Sequence, residues 1–321
     1  MKVSLVSTVR NGEGELEEFL ESVARQTRKP DEVVIVDGGS TDRTADILRR
    51  HEWVSALEEP GANIARGRNV GIAAAAHDVI AVSDADCVLV PEWLDRLLEP
   101  IRRGADVAMG VYQAMPRTFF EACAAAVAVP DPDELMEDRF MPSSRSVAFR
   151  RVVYETAGGY PEWLAIGEDM YLDRRWRELG ARMALASGAV ARWRPRPTLA
   201  GHWRQYAGYA RGDAIAGLHP RRHAVRFGVY AALAASLWGH RRMPLALAAV
   251  GGAAYAARPL RRAMRLLDDP GERALGLAVV PAMMAFTDAA KMAGFVSGLV
   301  SEARVDARAR IAQSVLAPGA P

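Results

Sequence analysis

Two carboxylates separated by one residue, Asp84 and Asp86, directly follow an apolar run in the N-terminal half of the chain. Carboxylates at this spacing in a turn can share one hard divalent cation, such as Mg²⁺ or Mn²⁺. A cation held there would neutralise a diphosphate and stabilise it as a leaving group. An Asp-x-Asp pair also occurs in ordinary solvated turns, so its interpretation depends on the elements that position it.

Two other segments carry residue types suited to a nucleotide. Asp37 ends a second apolar run and is followed by two glycines and by Ser40, which can cap a helix. A carboxylate at this place can accept a hydrogen bond from a nucleobase imide, although a plain capping turn is the alternative. Residues 63–71 begin a small-residue helix whose guanidinium groups and amide suit phosphate or base contacts.

The elements around these residues alternate between short apolar runs and amphipathic helical patterns. Continuous apolar runs are typical of strands buried on both faces of a parallel sheet. Strands that alternate with helices predict βαβ units, whose ligands bind at the carboxyl ends of the strands. The predicted strands are residues 3–7, 33–37 and 79–83, and the predicted helices include 16–23 and a helix that begins at Pro91.

Composition describes a globular chain of 321 residues, with 50% hydrophobic and 25% charged residues. These values exclude disordered, collagen-like and coiled-coil classes, and the length predicts about two domains. Two cysteines, Cys87 and Cys123, cannot build a disulfide framework, which favours a reducing compartment. The N-terminus predicts a strand and lacks the pattern of a signal peptide.

The net charge of +2 conceals an uneven distribution. Residues 196–321 contain 17 Lys and Arg against 7 Asp and Glu, whereas residues 1–195 contain 24 against 32. This asymmetry indicates an acidic module joined to a basic module that meets an anionic partner.

A dinucleotide site is an alternative interpretation of the first turn, where Gly12 and Gly14 follow a strand and open a helix. Glu17 occupies the position of the third glycine of that motif and prevents close helix–strand packing. Four glutamates also crowd the helix N-terminus, where they would repel a pyrophosphate. The pattern therefore disfavours a nicotinamide or flavin enzyme.

Seven short motifs occur in one order over roughly residues 1–210, and together they resemble the inverting family 2 glycosyltransferases. The resemblance implies an α/β fold of the GT-A type, Rossmann-like with a mostly parallel sheet, followed by a C-terminal helical, hydrophobic region. The motifs are the strand end at Thr8, 33–44, 65–72, 83–86, 146–151, 157–160 and 167–169.

The resemblance also implies a role for each matching residue. Asp169 would be the general base that takes a proton from the acceptor hydroxyl, and Glu168 would help to position that acceptor. Direct displacement at the anomeric carbon requires one such base and no covalent nucleophile. Asp86 and Asp84 would hold Mg²⁺ or Mn²⁺. The residues implied in donor binding are Thr8, Asp37, Arg68, Asn69 and Asp84.

One departure from the family pattern concerns a histidine after the base-bearing helix, which many members use as a metal or phosphate ligand. Residues 189–195 contain no histidine, and an arginine there could neutralise the diphosphate instead. His202 is a second candidate, although a surface histidine is the favoured interpretation. Trp163 could stack on a sugar or cover the core. The helix that follows Asp169 is expected to bury Leu172, Trp176 and Leu179.

The C-terminal third predicts membrane association. Residues 202–213 are similar to an amphipathic segment that lies at the bilayer surface in membrane-associated family members. Three apolar runs follow, each shorter than the ~18–20 residues that span a bilayer. The runs are 227–239, 243–257 and 274–287, and the last continues to Val300 through an i, i+3 pair of Asp288 and Lys291.

Charge favours a shallow hairpin in the cytoplasmic leaflet, because residues 196–265 contain 12 basic residues and one acidic residue. A soluble helical domain that uses the same runs as its core is the alternative. The predicted organisation is 1–200 for the catalytic domain, 201–222 for an interface segment, 223–300 for the membrane-associated region and 301–321 for a tail.

These observations predict an inverting glycosyltransferase at the cytoplasmic face of the cell membrane. Its donor would be a nucleoside-diphosphate sugar, for which UDP is the family's commonest nucleotide. Its acceptor would be a hydroxyl of a lipid-linked or glycan molecule, its membrane contact an anionic surface, and no nucleic acid would be bound. The alternatives are a soluble family 2 enzyme and a non-catalytic subunit that binds a nucleotide sugar.

Overall fold

The computed structural model describes residues 1–138, 140–238 and 242–301, and these form two compact units. The first unit contains residues 1–113 and 132–193, and the second contains 114–131 and 194–301. Residues 114–131 therefore belong with the C-terminal helices, although the sequence pattern placed them in the catalytic domain. The end of the first apolar run at Gly239, the charge of Arg241 and the tail after Ser301 lie outside the described residues.

The first unit is built on a sheet of eight strands within the described residues, in the order β3-β2-β1-β4-β7-β6-β8-β5. Strands β1 to β4 run parallel, whereas β7 is antiparallel to β4 and β6 to β7, and β5 pairs antiparallel with β8. The strands are β1 (Val3–Val9), β2 (Glu32–Asp37), β3 (Ser55–Glu58), β4 (Val79–Val82), β5 (Cys87–Leu89), β6 (Val107–Ala114), β7 (Val147–Arg150) and β8 (Met183–Trp193).

Eleven helices are found in the described part of the chain, and helices α5 and α8 to α11 belong to the second unit. They are α1 (Leu16–Ala24), α2 (Thr44–Arg50), α3 (Ile64–Ala74), α4 (Trp93–Arg102), α5 (Phe119–Ala128), α6 (Arg151–Ala157), α7 (Glu168–Glu178), α8 (Leu199–Ala216), α9 (Pro220–Trp238), α10 (Arg242–Leu266) and α11 (Pro270–Leu299).

The three predicted strands correspond to β1, β2 and β4, which are buried along nearly their whole length. Strand β3 was not predicted, because its four residues are mostly exposed and show no apolar run. Helix α4 begins at Trp93, two residues after the predicted start, because the backbone first makes a turn in which the Trp93 N–H donates to the Val90 carbonyl.

Helix α3 lies unusually close to the sheet because glycines face the strands. A Cβ atom on Gly71 would stand 2.7 Å from a methyl group of Val6, and one on Gly67 would stand 2.8 Å from a methyl group of Thr8. Real Cβ atoms do not approach other carbons so closely, so only glycine allows this packing. The close approach brings the first two turns of α3 to the carboxyl end of β1.

Two consecutive arginines, Arg150 at the end of β7 and Arg151 at the start of α6, tie helix ends to the sheet. The Arg151 guanidinium donates to the carbonyls of Ile72 and Ala75 at 2.7 and 2.6 Å, at the end of α3. The Arg150 guanidinium donates to the Ile101 carbonyl at 3.0 Å, near the end of α4. Each side chain satisfies carbonyl groups that a helix terminus leaves without internal partners. This motif therefore serves the fold.

Helix α7 buries most of the face that its periodicity predicted. Leu172 and Trp176 are each 1% exposed, and the Trp176 ring lies 5.2 Å from that of Phe149. The prediction that Leu179 joins this core is wrong, because Leu179 is 45% exposed. It is the C-cap residue, at which the chain leaves the helix.

In the second unit, α8 and α11 pack backbone to backbone at two glycines. A Cβ atom on Gly294 would stand 2.0 Å from the Ala207 carbonyl oxygen, and one on Gly298 would stand 2.6 Å from that of Arg211. A separate apolar cluster joins α5 to α10 and α11 through small residues of α5 and through Met283 and Met284. Small residues allow such close helix packing in water and in lipid alike.

Polar side chains in this unit contact neighbouring helices. Asp288 accepts a hydrogen bond from Arg226 of α9 at 2.7 Å, whereas Lys291 lies 5.1 Å from the centre of the Tyr206 ring. Each side chain of this i, i+3 pair therefore faces another helix of the unit. His202 is 2% exposed, so the prediction of a surface histidine is wrong.

The buried His202 ring keeps a hydrogen-bond partner, because one of its nitrogens lies 2.8 Å from the Thr287 hydroxyl. Among the described residues, one helix, α11, is long and apolar enough to cross a membrane by length and composition.

Candidate active site

Arg68 lies at the centre of the polar cluster in the first unit. Its guanidinium donates to Asp84 and to Glu168 at 2.6 Å each, and its side chain is 2% exposed. The guanidinium also lies 5.1 Å from the centre of the Tyr160 ring. A buried cation requires such compensation on more than one side. Arg68 thus joins the turn after β4 to the first residue of α7.

The sequence places Arg68 there through the start of α3. Asn63 has an extended backbone and its side chain accepts a hydrogen bond from the Arg66 N–H, which fixes the N-terminus of the helix. Arg68 follows in the second turn, next to the glycines that hold α3 against the sheet.

The start of α7 presents two carboxylates, Glu168 and Asp169. Gly167 precedes them with φ 89°, a left-handed conformation that glycine adopts readily. The unpaired N–H groups at a helix N-terminus favour negative charge in this turn. Asp169 accepts hydrogen bonds from the N–H of Met170 at 2.8 Å and from the N–H of Ser144 at 3.4 Å.

The segment 143–146 connects Asp169 with Asp84. The Ser144 N–H contacts Asp169, and the Ser144 hydroxyl lies 2.8 Å from the hydroxyl of Tyr160. The next residue, Arg145, places its Nε 3.7 Å from a carboxylate oxygen of Asp84. The predicted donor-binding carboxylate and the predicted base therefore belong to one cluster and do not lie in separate places.

The two carboxylates that pair with Arg68 differ in their protonation. Burial acts to raise the pKa of Asp84, but the charges of Arg68 and Arg145 outweigh it and lower the pKa below its usual range. Burial raises the pKa of Glu168 to about 7, with the neighbouring Asp169 acting in the same direction and Arg68 opposing both. Asp84 therefore stays ionised at neutral pH, whereas Glu168, with its pKa of about 7, is partly protonated at that pH.

The turn after β4 offers Asp84 and Asp86 to a cation. Asp86 is half-buried and lies 3.7 Å from the thiol of Cys87, the first residue of β5. The described residues contain no group of three or more His, Cys, Asp or Glu side chains arranged to hold a metal. Mg²⁺ and related cations often take one or two protein carboxylates and complete their shell with phosphate oxygens and water. The donor set fits a cation that is shared with a bound diphosphate.

Asp37 and Thr8 lie at the carboxyl ends of β2 and β1, as the sequence predicted. One oxygen of Asp37 accepts hydrogen bonds from the N–H groups of Gly39 and Ser40 at 3.1 and 2.9 Å, and from the Ser40 hydroxyl at 2.7 Å. Gly39 adopts φ 87° in this turn. The turn holds the Asp37 carboxylate in one orientation, and its contact with a base stays a prediction.

Asn69 has a different set of contacts from the one expected of a donor ligand. Its carbonyl oxygen accepts from the Tyr154 hydroxyl at 2.5 Å and from the Tyr160 N–H at 3.1 Å. Its amide donates to the Tyr160 carbonyl at 2.9 Å and to Glu162 at 2.8 Å. Asn69 thereby ties α3 to the turn that carries Tyr160, which favours a positioning role.

Sequence reasoning missed three residues of this region: Tyr160, Arg145 and Asp173. Tyr160 stands in a matched motif, but nothing in the pattern shows that its ring contacts Arg68. Trp163 is half-buried and meets the Tyr171 ring edge to face at 5.4 Å, which supports its role as a cover of the core.

Comparisons with known proteins agree with the motifs. Residues 4–121 match the model of glycosyl transferase family 2. The O-antigen chain rhamnosyltransferase RfbN of Salmonella typhimurium is 24% identical over 207 residues, which cover 60% of this chain and 66% of the relative. Residues 4–121 therefore form a domain similar to glycosyl transferase family 2.

Two further likenesses are consistent with this match. The succinoglycan biosynthesis protein ExoA of Rhizobium meliloti is 30% identical over 199 residues, which cover 57% of this chain and 59% of the relative. The fold resembles that of the mannosyltransferase PcManGT from Pyrobaculum calidifontis, solved with GDP-Man and Mn²⁺. That likeness has a TM-score of 0.57 and 22% identity, and it covers 94% of this chain and 88% of the mannosyltransferase. The predicted GT-A fold is thereby confirmed.

Asp173 provides a prediction about stability. It lies one helical turn after Asp169, is 2% exposed, and one of its oxygens has no hydrogen-bond partner among the described residues. Burial, with the nearby Asp169 charge, raises its pKa well above the usual range. The unfolded chain therefore releases this proton at lower pH than the folded chain does. As the pH rises, Asp173 lowers the free energy of unfolding, by up to about 1.4 kcal/mol for each pH unit.

We expect Asp173→Asn to remove this dependence. Urea unfolding at pH 5 and pH 7 should show that the variant gains stability relative to the natural protein as pH increases. The exposed Asp46→Asn is the matched control, and its difference from the natural protein should not vary with pH. A difference for Asp173→Asn that is equal at both pH values would contradict the raised pKa.

Proposed function

We propose that the protein transfers a sugar from a nucleoside-diphosphate sugar to an acceptor hydroxyl, with inversion at the anomeric carbon. The observation that carries this proposal is the pairing of Arg68 with both Asp84 and Glu168. Through that contact the turn suited to a diphosphate and the carboxylates at the start of α7 form one cluster. The match of residues 4–121 to glycosyl transferase family 2 supports the assignment.

Asp169 is the residue that we assign as general base. Its carboxylate takes the proton of the acceptor hydroxyl while the hydroxyl oxygen forms a bond to the anomeric carbon. The bond between that carbon and the diphosphate oxygen breaks, and its electron pair leaves with the nucleoside diphosphate. Hydrogen bonds from Ser144 and Met170 hold the Asp169 carboxylate in place. One positioned base suffices for such a displacement.

Asp84 and Asp86 are the residues that we assign to a divalent cation. When bound, this cation supplies positive charge that stabilises the leaving diphosphate. Arg68 keeps the Asp84 carboxylate oriented and ionised. The solved mannosyltransferase contains Mn²⁺, and both Mn²⁺ and Mg²⁺ suit carboxylate ligands.

A membrane-bound acceptor is the partner that we infer for the second unit. Helices α9 and α11 expose apolar side chains, with Val225 at 66% and Leu277 at 56% exposure. Arg221 and Arg222 at the start of α9 are also exposed. Apolar side chains beside cations are typical of segments that lie on anionic lipid. We place the enzyme at the cytoplasmic face, where it would extend a cell-envelope polysaccharide or modify a lipid-linked sugar.

Asp169→Asn should lower turnover at least a thousandfold while it leaves donor affinity unchanged, because the amide keeps the shape of the side chain and cannot accept a proton. Turnover is measured as release of nucleoside diphosphate from a panel of nucleotide sugars in the presence of Mn²⁺ and an acceptor. The exposed Asp95→Asn serves as the control. Full activity of Asp169→Asn would exclude this residue as the base.

Asp86→Asn should abolish the Mn²⁺-dependent part of nucleotide binding. A bound nucleoside diphosphate stabilises the folded protein by mass action, so the melting temperature reports the effect. UDP and GDP are tested with Mn²⁺ and with a chelator, and Asp46→Asn is the control. An equal shift for the variant and the natural protein would remove Asp86 from the metal site.

Vesicle flotation tests the membrane contact. The full chain should float with vesicles that contain an anionic phospholipid and remain in solution with neutral vesicles, because the exposed arginines require negative charge. Arg221→Glu combined with Arg222→Glu should weaken flotation, whereas charge reversal at exposed Arg49 of α2 should not. A chain that stays soluble without detergent and floats with neither vesicle supports the alternative of a soluble enzyme.

A further inference from the structure

Arg145 is a second cation at the candidate active site, and neither the periodicity nor the family motifs assigned it a role. We infer that Arg145 binds the diphosphate of the nucleotide donor and that its positive charge stabilises the negative charge of this leaving group. This inference rests on the proposed function and adds to it a residue that neutralises part of the negative charge of the diphosphate. The arginine that sequence reasoning expected for this task belonged to residues 189–195 instead.

Two aromatic rings hold the Arg145 guanidinium. Its central carbon lies 4.8 Å from the centre of the Trp193 ring and 5.4 Å from that of Tyr112. Arginine stacks well on aromatic faces because its guanidinium is planar and weakly hydrated. Such stacking fixes the plane of the group, whose edge contacts the Ser143 hydroxyl and faces Asp84.

The strands explain why the rings meet at this place. Trp193 ends β8 and pairs in register with Cys87, which directly follows Asp86. Tyr112 lies on β6, the strand next to β8 in the sheet. Trp193 therefore stands beside the Asp84–Asp86 turn, and the Arg145 side chain that contacts Tyr112 also faces Asp84.

Hydrogen bonds to Ser83 and Ser143 fix the position of Arg145. The Ser83 hydroxyl donates to the Arg145 carbonyl at 2.9 Å, and Arg145 donates to the Ser143 hydroxyl at 3.1 Å. Its Nε lies 3.7 Å from a carboxylate oxygen of Asp84, and the side chain is 16% exposed. The charge is thus close to the turn predicted to hold a cation, and part of the side chain reaches solvent.

The other cations of the region suit this task less well. Arg68 directs its guanidinium to two carboxylates and is 2% exposed. Arg192 lies on β8 beside Trp193 and is exposed. A diphosphate carries more negative charge than one divalent cation neutralises, so a nearby arginine would strengthen its binding. Arg145 is the residue whose position meets this need.

The test compares diphosphates with monophosphates. Calorimetric titrations in Mn²⁺ use UDP, GDP, UMP and GMP with the natural protein and with Arg145→Gln. We expect Arg145→Gln to weaken binding of the diphosphate at least tenfold and to change binding of the monophosphate much less. Arg49→Gln on the exposed surface of α2 is the control and should bind all four nucleotides as the natural protein does.

Arg145→Lys separates charge from stacking and replaces the glutamine variant if that variant does not fold. It keeps the positive charge without the planar group, so its preference for the diphosphate should lie between those of the natural protein and Arg145→Gln. Thermal unfolding shows whether each variant is folded.

Two results would overturn the inference and leave the proposed function standing. One is unchanged diphosphate affinity in a folded Arg145→Gln. The other is an equal loss for diphosphate and monophosphate, which is the result expected of a purely structural residue. If the natural protein binds none of the nucleoside diphosphates ADP, CDP, GDP, UDP and dTDP, the proposed function fails, and this inference fails with it.

Discussion

A single buried guanidinium organises the candidate active site. Arg68 pairs with Asp84 and Glu168, and these two carboxylates come from segments more than 80 residues apart in the chain. Removing one partner of a buried ion pair typically costs about 3–5 kcal/mol, because a charge is then left without compensation. The cluster is therefore fixed as a unit. Arg68 and Arg145 hold Asp84 ionised, whereas burial and the charge of Asp169 raise the pKa of Glu168 to about 7.

Glycines that allow close packing are as important for the position of Arg68 as the side chains that bind it. Gly67 and Gly71 allow α3 to approach β1 at a distance that any Cβ would prevent. Arg68 reaches the carboxyl end of the sheet as a consequence, and Asn69 on the same helix ties down the turn that carries Tyr160. The residues that the motifs suggested as ligands are therefore of two kinds. Some lie in the candidate active site, and others stabilise the fold around it. The two consecutive arginines at the end of β7 and the start of α6 belong to the second group, since they cap α3 and α4.

The second unit combines features of a soluble core and of a membrane surface. Asp288 and Arg226 are paired and nearly buried, and Gly294 and Gly298 allow tight packing of α8 on α11. Apolar side chains of α9 and α11 nevertheless remain exposed next to arginines. A soluble helical domain would bury most of these side chains, because exposed apolar patches have a free-energy cost in water. This combination is the reason that lipid contact forms part of the proposed function.

Local patterns in the amino-acid sequence predicted the alternation of strands and helices, the strand ends that carry Thr8, Asp37 and Asp84, and the resemblance to family 2 glycosyltransferases. These features depend on local periodicity and on short motifs, which a linear pattern displays directly. Those patterns did not predict β3, the exposure of Leu179 or the burial of His202, because each depends on which neighbours an element finds. Only the tertiary structure decided that Arg68 serves Asp84 and Glu168 and that Asn69 holds a turn. It also decided that Arg145 lies between Tyr112 and Trp193. The physical reason is that hydrogen bonds and ring contacts join residues far apart in the chain, and their partners follow from the packing of the sheet.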